Sequence, residues 1–357
     1  ATTCSGVGTV PSVCRPACTY SAICRAAANG SPGPQAACSA AAPSPTHAQQ
    51  APVLMRLSHQ VPPAHHMSKL LDSFATEVKA RTNGGVEVQI FGSEQLAKAA
   101  ENHPAVARGA IEAAMSVNFQ WGNTIPEMSA LTIPYFFVDL PRIQKFATSE
   151  ARKFLDAKLE EKGVKSLAWL YITRQSIFTS SKAPIVKLED FKGLKIRGLN
   201  PLTDNALSAV GAAPAATPGS EVYQALQSGV LDAGLTDVSA GFSRRYYEVQ
   251  KYGTVAPYFA VYFHMYVTPA WWNRLNPAHR AALEAAAAAV EAEAIGVTEA
   301  TAEAATSDRQ AKGMAIHLQT PAERAIWQPV MQKAVIDAFL KTAPEGGAKI
   351  IELLGKL

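Results

Sequence analysis

The chain has 357 residues, 48% of them hydrophobic and 17% charged, with a formal net charge of +4. That length suffices for two domains with cores of their own. No block of like charges occurs, which excludes the basic stripe that a nucleic-acid partner requires, and no run of about 18 apolar residues occurs that would cross a bilayer.

All five cysteines (Cys4, Cys14, Cys18, Cys24, Cys38) lie near the start. Cys14-x3-Cys18-x5-Cys24 has no interleaved histidine, so no zinc site is expected there. Residues 1–48 lack hydrophobic periodicity and are dense in Ala, Ser, Gly and Pro, so they are expected to be disordered or removed by export processing. Thr46-His47-Ala48 has the small-residue character of a cleavage site.

The first strand is expected at 53–57, followed by the polar turn Ser58-His59-Gln60, with His59 a candidate site residue. A helix is predicted over 66–81, with Leu70, Leu71, Phe74 and Val78 on one side. A turn at 82–85 leads into a strand at 86–90. His59, His65 and His66 read as exposed polar positions near a helix start, since no carboxylate sits beside them at metal-site spacing. Residues 94–109 are predicted helical with a break near Pro104, and 111–117 as a buried strand. Asn118, Phe119 and Trp121 follow at that strand's carboxyl end, where open α/β sheets collect ligand-facing groups. Tyr135 and Phe136 are further pocket candidates. A helix is expected over 141–162 and a long strand over 164–172, with Arg174 just beyond it.

The most informative stretch runs from 189 to 237. Leu194 and Ile196 alternate with Lys195 and Arg197, the period of a half-buried strand, and Gly198 then lets another group approach closely. A helix is predicted over 221–228, stopped by Gly229, with a brief buried strand at 230–232. Strand, helix and strand make one α/β unit with Arg197 at a strand's end, where such sheets bind ligands. Taken alone, a strand arginine is most often a surface residue paired with an acid. Further on, 239–247 reads as a helix. Residues 258–267 read as a strand buried on both faces, with Tyr258 at its start and His264 as a core histidine. Asn276-Pro277 opens an Ala-rich helix reaching about residue 312, roughly 50 Å long, which must lie across two domains. A short edge strand at 316–318 and helices at 322–340 and 348–354 finish the chain. No G-x-S-x-G, P-loop, H-E-x-x-H or dinucleotide fingerprint occurs, so no cofactor, metal or catalytic group is expected and an enzyme is the weaker reading.

Lys192-Gly193-Leu194-Lys195-Ile196-Arg197, followed by Pro218, Ser220-Glu221-Val222-Tyr223, Ala225-Leu226-Gln227, Gly229-Val230 and Asp232, resembles the signature of TRAP (tripartite ATP-independent periplasmic) transporter solute-binding proteins of the DctP type. Pro126-Glu127 with Pro134-Tyr135-Phe136-Phe137, and the segment 247–252, resemble the same family, whose members also begin with a strand, a polar turn facing the cleft (here Ser58-His59-Gln60) and a long helix. The resemblance implies an α/β, two-lobed periplasmic binding protein fold, type II-like, with a hinge and a long helix spanning both lobes. Lobe I would hold 49–172 and 266–303, and lobe II 173–265 and 304–357. It implies capture of a small organic acid in the interlobe cleft by a monomer, and delivery to membrane permease subunits in the periplasm. In that family the arginine at the Arg197 position forks onto the substrate carboxylate, and a second arginine near the Arg174 position helps. The family usually continues Asp-Gly-x-Glu-Asn. Here Asp232-Ala233-Gly234-Leu235-Thr236-Asp237 stands instead, placing Thr236 at the asparagine position with Asp237 beside it. A receptor that signals rather than transports, or a two-lobed α/β enzyme acting on a carboxylate, are the alternatives.

Overall fold

Residues 51–357 are described by the structure, a computed structural model; the expectations for residues 1–48, cysteines included, lie outside the described residues. Strands β1 (Val53–His59), β2 (Val86–Phe91), β3 (Ala113–Val117) and β4 (Lys165–Thr173) join one sheet. The chain then crosses through Arg174 and Gln175 to a second sheet. That sheet holds β5 (Ser176–Ser180), β6 (Lys195–Gly198), β7 (Ala213–Ala216), β8 (Ala233–Asp237) and β9 (Tyr252–Ala256). It returns to the first sheet as β10 (Val261–Val267) and ends in the second as β11 (Ala315–Leu318). The orders are β2-β1-β3-β10-β4 and β11-β9-β5-β8-β6-β7. In the first sheet β1, β2 and β3 run parallel and β10 is antiparallel to β3 and β4. In the second, β6 runs parallel to β7 and β8, while β5 opposes β8 and β9.

Burial explains which strands were legible. β3 and β10 are buried at every residue, so they read as apolar runs. β7 sits at a sheet edge with mostly exposed Ala and Pro and no alternation, and was not anticipated. The strand expected at 230–232 lies at 233–237: Val230 is 65% exposed in the turn that Gly229 (φ +74°) opens. The return to the first sheet also comes earlier than 266, since Val261 already pairs with Thr173. Two predicted helices are interrupted. Ser149, whose hydroxyl accepts from Arg152 N, starts a second helix (Glu150–Glu161) after Leu140–Phe146. Arg245, with φ +61°, ends the helix Val238–Ser243.

The spine helix Pro277–Ala311 has 35 residues. Asn276 caps it, its side chain accepting from His279 N at 2.7 Å. It packs on β4 and the helix His66–Arg81 beside the first sheet, and on Val238–Ser243 beside the second. Buried Glu291 accepts from Trp169 N at 2.5 Å and from Arg152 Nη1 at 2.8 Å, and Thr298 Oγ donates to the Tyr171 carbonyl at 2.8 Å. These contacts seat the spine against β4, next to the crossing at 174–175. Among the described residues no helix is long and apolar enough to cross a membrane.

Candidate functional site

The parallel strands end facing one another between the sheets. Beyond β1 stands Gln60, beyond β3 Phe119, beyond β6 Leu199, and at the end of β8 Thr236 and Asp237; all line one cavity of about 30 Å³. Its first-sheet wall also carries Val117, Phe259, Val261 and Phe263 and is mostly apolar, with Gln60 and His65 as its polar members; its second-sheet wall carries Arg197, Gly219 and Arg244. Placement at strand carboxyl ends is where an open α/β sheet leaves its main-chain ends and loops free to meet a ligand.

Arg197 is 4% exposed. Its Nε donates to the Thr217 carbonyl at 3.1 Å and its Nη1 to the Leu235 carbonyl at 2.7 Å. Two of the five guanidinium N–H groups are thereby fixed and three stay available, enough for a bidentate contact through Nη1 and Nη2. No carboxylate lies within 4 Å of this guanidinium among the described residues. Burial lowers its pKa, and the Arg244 charge adds to the effect, while Tyr246, Asp204 and Asp237 oppose it. Asp204 is close because Gly198 has no side chain: a Cβ there would lie 2.1 Å from Asp204 Oδ2. The carboxyl instead accepts from Leu199 N at 2.8 Å, and burial pushes its pKa up to about 6. The close approach expected at Gly198 is thus made by a carboxyl of the same chain. Asp237 accepts from Ala240 N at 2.7 Å, capping the helix that follows β8.

Four of the nine predicted site residues meet in this cavity: Arg197, Phe119, Thr236 and Asp237. Five do not line it. Arg174 is turned to the spine, where Nη2 and Nε hold Glu299 Oε2 at 2.9 and 3.1 Å. Asn118 is spent on the backbone, accepting from Tyr262 N at 3.0 Å and donating to the Met128 carbonyl at 3.3 Å. Trp121 packs edge-on against Tyr266 and His264 in the first-sheet core. His59 Nδ1 accepts from Val61 N at 3.3 Å, with its ring beneath Gly92. Tyr258 is buried edge-on against Tyr135 and Phe178. The histidines expected to be exposed are buried: His59, His65 and His66 are 1%, 2% and 6% exposed. Burial first, then the Arg244 and His59 charges, push His65 down to about 3, so it faces the cavity as a neutral ring.

Gln60 lies in the polar turn expected to face the cleft, whereas Arg244, His65 and Gly219 were not anticipated. Arg244 was hidden because 239–247 reads as one helix, in which Arg244 and Arg245 are equivalent basic residues. The left-handed turn at Arg245 separates them: Arg245 pairs with Glu248 near the surface, and Arg244 joins the cavity wall. Two hydrogen bonds tie the sides of the cleft together, Asn200 Nδ2 to the Phe119 carbonyl at 2.7 Å and Ser220 Oγ to Glu94 Oε2 at 3.0 Å.

Residues 57–342 match the family of bacterial extracellular solute-binding proteins, family 7, also called DctP. The chain belongs to this family. The C4-dicarboxylate-binding periplasmic protein DctP of Rhodobacter capsulatus is 31% identical to this solute-binding protein over 283 residues, 78% of this chain and 84% of that one. A TRAP periplasmic solute-binding protein of Desulfovibrio salexigens, solved with bound orotic acid, superposes with a TM-score of 0.81 at 28% identity, covering 85% of this chain and 97% of that chain. One of Sulfurospirillum deleyianum, solved with bound succinate, gives 0.77 at 29% identity over 85% and 100% of the two chains. The two-sheet architecture is the two-lobed fold of these proteins. A TRAP-type solute-binding protein binds its solute and does not convert it.

Proposed function

We propose that this protein captures a small organic carboxylate between its lobes in the periplasm and hands it to the membrane permease subunits of a TRAP transporter. The observation that carries the reading is Arg197: a buried guanidinium, held in place by two carbonyls, with no carboxylate partner among the described residues, at a seam lined on its other side mostly by apolar groups. A buried unpaired cation is costly, and a carboxylate entering the cleft removes that cost with matching planar geometry. Phe119 and its apolar neighbours exclude water, which strengthens the contact. Thr236 and Asp237 flank the ligand. The lobes would divide at 174–175, at 257–260 and along the spine, and close by a hinge. The relatives with bound succinate and orotic acid support a carboxylate as the solute class.

Arg197→Ala is expected to weaken binding of the cognate acid by about 3–5 kcal/mol, more than about a hundredfold in Kd. Arg197→Lys is expected to weaken it too, because an ammonium cannot fork. Calorimetry on variants whose thermal unfolding shows an intact fold decides; wild-type affinity in Arg197→Ala overturns the assignment.

A further inference from the structure

Arg244 stands where two spaces join. It lines the inner cavity with Arg197, and also an outer pocket of about 300 Å³. Gln60 and Gly219 are the other residues shared by both. The outer pocket adds Ser93 and Pro62 from the first lobe and Tyr223 and Ser220 from the second, so hydroxyl groups from both lobes stand beside Arg244. Arg244 is half-buried and has no carboxylate within 4 Å among the described residues. Its guanidinium lies over Gly219: a Cβ there would fall 2.7 Å from Cζ, Nη1 and Nη2 alike. Gly219 therefore leaves the space that Arg244 occupies. The conformation at Gly219 is one that other residues adopt, so room for the guanidinium, not backbone freedom, is the reason for a glycine.

We infer that Arg244 is the specificity-determining residue at the mouth of the cleft, selecting acids that carry a second anionic group remote from the carboxylate on Arg197. The inference rests on the reading of Arg197 as the inner seat. Asp237 lines the same space, but its carboxylate already accepts from Ala240 N, so two guanidinium groups are left facing the ligand, and a ligand bearing one charge at each end satisfies both. A monoacid satisfies only the inner one and leaves Arg244 without a partner as the cleft closes. Selection then comes from a polar site left unpaired by the wrong ligand, the form of discrimination that is strongest in a closed site.

The test uses matched acids as probes: succinate with butyrate, adipate with hexanoate, and terephthalate with benzoate. Each pair is titrated calorimetrically into the full-length wild type and into Arg244→Gln, Gly219→Ala and Arg197→Ala. The wild type is expected to bind at least one diacid about tenfold or more tighter than its monoacid partner. Arg244→Gln is expected to abolish that preference, lowering diacid affinity about tenfold or more beyond any change in monoacid affinity. Gly219→Ala keeps the arginine but displaces the end of a flexible side chain, so it is expected to fold normally and to lose the same preference. A wild type with no diacid preference, including one that binds none of the probes, overturns the inference. So does a preference that survives Arg244→Gln, or an equal loss for both members of a pair. Arg197→Ala reads the other claim separately: loss of both members supports the inner seat, and unchanged binding of both refutes the seat whatever Arg244→Gln does.

Discussion

The orientation of Arg197 depends on a hydrogen atom at position 198. Any larger group there meets the Asp204 carboxyl, which is 7% exposed and bonded to Leu199 N. Gly198→Ala must push that carboxyl out of its pocket or bend the end of β6, and is expected to cost about 1–3 kcal/mol of stability as overpacking does. It should also weaken ligand binding, because the shifted backbone carries Arg197. Urea unfolding of Gly198→Ala, Asp204→Ala and the double variant checks this. In the double variant the alanine has its space back, so the two losses should fall short of additive; full additivity would show that the contact is not the cause. Arg197 itself was legible because a strand period and a family motif coincide on it. Asn118, Trp121 and Arg174 were legible only as types of residue at a suitable strand end. The carbonyls, rings and glutamate that hold them elsewhere come from segments 10 to more than 100 residues away, among them Met128, Tyr266 and Glu299, which no local spacing encodes.

The corner between β1 and the helix His66–Arg81 shows the same division between local signal and tertiary surroundings. His65 is the helix cap, its Nδ1 accepting from Met67 N at 3.2 Å, and His66 Nε2 meets Thr298 Oγ of the spine at 3.1 Å. The helix and its apolar face follow from local periodicity, but the burial of these rings is made by the distant spine. Burial lowers His59 to about 4 and His65 and His66 to about 3. Each stays neutral in the folded chain at pH values where the unfolded chain binds a proton. Their contribution is therefore fully present above about 6.5 and is lost as the pH falls, by up to about 1.4 kcal/mol per pH unit for each ring. Asp204, raised to about 6, acts in the opposite sense between that value and its ordinary 3.8 and offsets about one ring. His65→Asn keeps a capping acceptor and removes one titration. Its unfolding free energy should fall less steeply between pH 7 and pH 5 than that of the wild type, by about 1.4 kcal/mol per unit below the unfolded pKa. Parallel curves from chemical denaturation would rule out buried neutral His65 as a source of acid sensitivity.

At the scale of the whole molecule, the chain passes between the sheets at 174–175, at 257–260 and through the spine helix. Several passages at one seam, with a rigid helix beside them, favour rotation of two bodies over deformation of either. The cavity has room for a water or two, so an organic acid enters only after the lobes part. Parting breaks the Asn200–Phe119 and Ser220–Glu94 hydrogen bonds. Both are replaceable by water, and the net loss is small, on the order of 1 kcal/mol each. The unliganded protein in solution is accordingly expected to be more open than this closed form, and a bound acid to close it. Small-angle scattering should report a smaller radius of gyration on saturation with a binding acid. At about a hundred times its Kd that acid should add about 2.7 kcal/mol of stability. Arg197→Ala, mixed with the same acid at the same concentration, should show neither change. Arg174→Ala should still compact, because Arg174 ties the crossing to Glu299 of the spine and does not line the cavity. A scattering curve that stays the same while calorimetry records binding would mean that the acid enters without hinge motion, and that the two lobes are one fixed body.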